Sequence, residues 1–176
     1  MATTRQEPDR TQLVNFVTRL EGRLNFVVNV QPQLFIRSEL VRSALALALD
    51  DLAPTFQVLR AQISAGEFDS QLPSVGLSGP QLAAKISIFI LADNAMSEAA
   101  PRSLEERTRR PRAQRGFWSA MGQRMRRWLD PLLGVANAIL GSLAKVTPLA
   151  DPIQELKEAV EAAVKLPRAR RPRRRH

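Results

Sequence analysis

Few side chains in this chain could carry covalent chemistry. The single histidine is His176, and cysteine and tyrosine are absent. The usual nucleophile-and-base pairs therefore cannot be assembled, and no histidine or cysteine cluster offers itself to zinc. Gly76 and Gly79 frame "GLSG" with no lysine after it, so there is no phosphate-cradling loop. Two carboxylate pairs remain. Asp50 and Asp51 are neighbours, which on a helix sets them about 100° apart, and Glu67 with Asp69 falls in a loop beside Gly66. Either pair could assist hydrolysis or hold a cation, but solvated acids at helix ends and in loops account for them more simply. The expectation is a non-enzymatic protein with no cofactor, no metal and no small-molecule substrate.

Binding chemistry is better represented. In "RGFWSAMGQRMRRWLD" a helical projection gathers Phe117, Met121, Met125 and Trp128 within an arc of about 80°, which Trp118 and Leu129 widen. Arg126 and Arg127 lie opposite, with Arg124 at the edge. This is a basic amphipathic helix carrying both tryptophans of the chain. Such a helix packs on its own domain, enters a groove on a partner protein or lies on an anionic membrane surface. If it docks outward, the contact residues are Phe117, Trp118, Met121, Arg124, Met125, Arg127 and Trp128. The apolar run that follows, "LLGVANAILGSLA", is too short to span a bilayer, which takes about 20 residues. The small residues Gly134, Ala138 and Ser142 recur along one side of it, a spacing that also serves close packing in water.

Charge is unevenly spread. The chain carries +9 overall; residues 102–127 hold +7, the last ten residues +6, and everything else sums to −4. The basicity thus sits in a linker, one helix and a tail, a layout suited to detachable electrostatic contacts. Arg109, Arg110 and Arg112 of the linker and Arg168, Arg170, Arg171, Arg173, Arg174 and Arg175 of the tail are candidate polyanion contacts. They could neutralise phosphates of a nucleic acid with strongly salt-dependent affinity, or serve only to keep the chain soluble. No aromatic residue is interleaved with them to stack on bases.

The elements that must position these residues read as helices throughout. Asp9 and Gln12 have capping-box spacing, followed by Leu13, Phe16, Val17, Leu20, Leu24, Val27 and Val28 on one face and Arg19, Glu21 and Arg23 on the other. Pro32 bars continuation. Ser38 caps "ELVRSALALALDDL", whose leucines at 40, 45, 47, 49 and 52 wrap most of the circumference and predict a central position. Pro54 restarts the chain, Gly66 stops it, and residues 67–79 form a turn-rich loop. Pro80 opens "QLAAKISIFILADNAM", where a β-branched run competes with a helical length. After the charged stretch "EAAPRSLEERTRRPRAQ", Asp130–Pro131 and Asp151–Pro152 each read as a cap with proline in the first turn. The last two helices then pair as a hairpin across "TPLAD".

The expected architecture is all-α: an N-terminal bundle over 9–97, a charged linker over 98–115, a C-terminal helical unit over 116–166 and an arginine-rich tail over 167–176. The N-terminus shows no apolar signal region, so a cytoplasmic location is expected, with peripheral membrane association as the variant that the Trp/Met helix admits. The expected role is an interaction or adaptor protein engaging a partner protein or an anionic membrane surface. The alternative is an accessory nucleic-acid binder acting through linker and tail.

Overall fold

The computed structural model describes residues 7–99 and 114–165, with side chains placed for 8–98 and 122–165. The described chain is all-α: α1 is Glu7–Asn25, α2 Pro32–Phe35, α3 Glu39–Ser64, α4 Gly79–Ala99, α5 Gln114–Leu143 and α6 Ala150–Lys165. The apolar face read for α1 is buried from Leu13 to Leu24 and continues through a π-helical turn, Phe26–Val30, that buries Val27 and Val28. Pro32 then starts the single turn of α2, where Phe35 meets Phe26 edge-on at 6.2 Å.

Two expected breaks are absent. Pro54 lies inside the 26-residue α3 and Pro131 inside the 30-residue α5. A proline removes one amide and orphans the carbonyl four residues back, here Asp50 and Arg127. Both prolines and both of those residues are exposed, so water can take the carbonyl. The buried stripes run on past each proline, as Leu45, Leu49, Phe56, Leu59 and Ile63 in α3 and Leu129, Leu132, Leu133, Ala136 and Ile139 in α5. Tertiary burial therefore overrides a local breaker.

Five long helices close into a ring. α1 packs between α3 and α4, α4 against α5, α5 against α6, and α6 back against α3. Polar contacts fix the directions. Arg10 binds Asp69 and Glu21 binds Arg60, so α3 runs antiparallel to α1. Arg19 and Arg23 reach Asp93 while the Gly79 amide meets Asp9, so α4 runs parallel to α1. Phe16 and Phe89 stack edge-on at 4.9 Å across that last seam. α5 passes α2 near its own middle, where Arg126 donates to the Leu34 carbonyl at 2.8 Å. α6 returns from it as the expected hairpin, tied by Gln154 to Asn137 at 3.2 Å.

The ring corrects two further expectations. α3 is not central: Leu45 and Leu49 point inward, but Leu40 and Leu47 are 81% and 66% exposed. Asp9 does not cap α1; it lies within that helix, its carboxylate at the start of α4, and Gln12 Oε1 is buried without a hydrogen-bond partner among the described residues. α4 and α5, on either side of the charged stretch, pack against each other, and residues from both belong to one core.

Other local signals read directly. Ser38 Oγ accepts the Val41 amide at 3.3 Å. Gly66, at φ +75°, ends α3 in a left-handed cap. Its amide bonds Ile63 O at 3.0 Å and that of Glu67 bonds Gln62 O at 3.2 Å, a Schellman pair. A Cβ at Gly66 would overlap the Arg10 guanidinium and sit 2.9 Å from Asp69 Oδ2.

Candidate functional site

The basic amphipathic segment enters the structure as the first half of α5. The side chains of Phe117, Trp118 and Met121 lie outside the described residues, as do all nine candidate polyanion arginines, 109, 110, 112, 168, 170, 171, 173, 174 and 175. Of the rest, Met125 is wholly buried, Trp128 is half-buried against the same core, and only Arg124 and Arg127 are exposed. The described part of the stripe is thus a packing face. Gly122 is buried against Leu34, and Arg126, expected on the solvent side, folds over the end of α2 through two bonds to the Leu34 carbonyl. Met125 is withdrawn from any docking surface, because α5 must fill the gap between α4 and α6.

The carboxylate pairs separate. Asp50 and Asp51 are exposed on α3 and have no ion-pair partner among the described residues, whereas Asp69 is engaged by Arg10 and Glu67 faces solvent. No group of three potential metal-ligating side chains occurs among the described residues, and no described helix is long and apolar enough to cross a membrane.

Three arrangements emerge that the sequence reading did not isolate. The first is polar and lies between α1 and α4. Arg23, assigned to the outer side of α1, is only 8% exposed. Its Nε donates to Asp93 Oδ1 at 2.7 Å, and its Nη2 to Asp93 O at 3.0 Å and Ser97 Oγ at 2.7 Å. Arg19, one turn earlier, donates from Nη1 to Asp93 Oδ2 at 3.0 Å and Asn94 Oδ1 at 3.2 Å. The Arg23 guanidinium lies 5.2 Å from the Phe26 ring centroid, within cation–π range. A signal was present: Asp93 is the lone acid in the apolar run of α4, and an acid there needs a cationic partner.

The second is Lys157 on α6, a charged side chain that is only 1% exposed. Its ammonium donates to Glu161 Oε2 at 3.1 Å, and Lys165 binds the other oxygen. The hydrogen bond from Lys165 outweighs the cost of burial and, with that from Lys157, holds the Glu161 carboxyl below the ordinary carboxylate range.

The third is the outer face of α3. Leu40, Ala44, Leu47, Asp51, Pro54, Val58 and Ala61 recur at alternating four- and three-residue steps and are all exposed. Such spacing normally marks the buried side of a helix, yet it has no partner here. Compared with known proteins, the chain matches no family model, no curated protein and no solved structure.

Proposed function

We propose that this protein is a non-enzymatic helical interaction module that engages a partner protein through the outer face of α3. The observation that carries the reading is the exposure of Leu40 and Leu47 on one continuous helical stripe. Contiguous apolar surface left uncovered on a folded body is where association releases the most free energy. The proposed docking surface thus shifts from the Trp/Met segment of α5, whose Met125 is spent on the core, to a helix whose inner leucines hold the fold and whose outer leucines are left over.

Charge selects the occupant. Two acids, Asp51 within the stripe and Asp50 beside it, are exposed and unpaired among the described residues. The cations on the helix are engaged, Arg42 by Glu39 and Arg60 by Glu21. A partner helix with an apolar stripe flanked by lysine or arginine fits this surface, since helix-on-helix recognition reads anchors at three- and four-residue spacing and opposite charge speeds the encounter.

Titration calorimetry of the full chain with two synthetic amphipathic peptides of equal apolar face tests this. The lysine-flanked peptide is expected to bind and the glutamate-flanked one not to. The double variant Leu40→Gln/Leu47→Gln is expected to weaken binding at least about tenfold, equivalent to about 1.4 kcal/mol. Binding that ignores the double variant, or an absence of binding by the lysine-flanked peptide, overturns the reading. A sedimentation profile in which the double variant converts a dimer to a monomer also overturns it, because a second copy would then own the face.

A further inference from the structure

We propose that the seam between α1 and α4 is a binding site for an oxyanion of the phosphate class, held by Arg19 and Arg23 over Phe26. Two guanidinium groups converge there on a single carboxylate, Asp93, which leaves one positive charge in excess. Their hydrogen-bonding capacity is also only partly used. Each guanidinium has five N–H donors, and the bonds made engage Nε and Nη2 of Arg23 and Nη1 of Arg19. Nη1 of Arg23, and Nε and Nη2 of Arg19, have no acceptor among the described residues. A cavity of about 390 Å³ opens beside them, lined by Arg19, Gly22, Arg23, Phe26, Asp93 and Ser97.

The site is built rather than incidental. Arg23 is held almost out of solvent by three acceptor contacts and the ring of Phe26, so its free edge has a fixed direction and little entropy is lost when an acceptor arrives. Arg19 is the exposed arm, its side chain 40% accessible. Asp93 aligns both groups while neutralising one of them. Gly22 supplies the opening: it sits in the middle of α1, where glycine costs about 1 kcal/mol relative to alanine, although a Cβ there would touch nothing within 4 Å. The sequence forgoes helix stability at a position that lines the cavity, where a longer side chain would take up its space. A phosphate group brings nearly two negative charges and three strong acceptor oxygens, a match to paired guanidinium edges that fork toward it. The Phe26 ring offers an apolar wall for whatever carries the phosphate.

The probe is inorganic phosphate, added to the full chain at constant ionic strength, with acetate as the carboxylate arm. Two-dimensional NMR of the arginine Nε–H groups is the readout. Saturable shifts of the Arg19 and Arg23 signals are expected with phosphate and at least about tenfold weaker response with acetate. Gly22→Leu fills the cavity and leaves every arginine in place; Arg19→Gln removes the exposed arm. Both are expected to abolish saturation while thermal midpoints without phosphate stay within a few degrees of the parent. Absence of saturation in the parent chain overturns the proposal. So does saturation that survives both variants, because the phosphate would then be on arginines elsewhere in the chain. Equal response to acetate overturns the phosphate class.

Discussion

α3 and α5 are the two longest helices, each carries an internal proline on its exposed side, and each has an apolar stripe that a helical projection finds at once. One stripe is consumed and the other is left over. The α5 stripe from Met125 to Leu143 is sealed because α4 and α6 flank it and the core lies beneath. α3 also has two neighbours, α1 and α6, but it carries leucines on both sides and the ring can bury only one. The lesson is that apolar periodicity reports a face that will be covered without saying by what. The neighbours on each flank decide whether the cover is internal.

The sharpest way to break this comparison is a matched pair of truncations. Leu133→Ala, in the sealed stripe, is expected to destabilise the fold by about 3–5 kcal/mol, while Leu40→Ala on the outer face of α3 should stay within about 0.5 kcal/mol. Chemical denaturation of both variants checks it, and similar losses would mean that α3 is covered on both sides. The prolines come next. Pro54→Ala and Pro131→Ala each restore an amide to a helix that is continuous around them, so each is expected to raise stability by about 1–3 kcal/mol. A gain at one site alone would show that the two helices tolerate their breakers for different reasons.

The smallest effect lies on α6, the helix between the two. Because Lys165 and Lys157 depress the Glu161 carboxyl in the folded state, its contribution is present above the ordinary carboxylate value of about 4.3. It is lost as pH falls through the lower folded value. Thermal midpoints followed from pH 6 to pH 2 should fall more steeply below about pH 4 in the parent than in Glu161→Gln, which lacks that titration. Parallel curves would remove Glu161 from the acid response.

Much of the fold was legible because its signals are local. The stripe on α1, the Ser38 cap, the Gly66 stop and the hairpin across "TPLAD" are each written in a few adjacent residues, and each is present. What was not legible depends on distant neighbours. Pro54 and Pro131 look like breaks until the burial running through them is counted. Asp9 looks like a cap for its own helix until the amide of Gly79 is brought beside it. Arg23 looks solvated until Asp93 of α4 takes up its charge. The candidate site suffered most: the Trp/Met segment was the strongest local signal, yet the part of it at 125–129 is spent on the core. The outer leucines of α3 were read as evidence that the helix is central, because periodicity cannot distinguish a helix buried all round from one with a spare face.

The order of helices around the ring differs from their order along the chain, and protein synthesis must live with that. The first helix waits for both the second long helix and the one after it. The circle stays open until the last sixteen residues of the described chain arrive and wedge between α3 and α5. While the ribosome is still extending the polypeptide, the inner leucines of α3 therefore lack one wall. Folding of α6 is the latch, and a nascent chain halted before residue 150 would still show chaperones the oily faces of α3 and α5 that this helix covers.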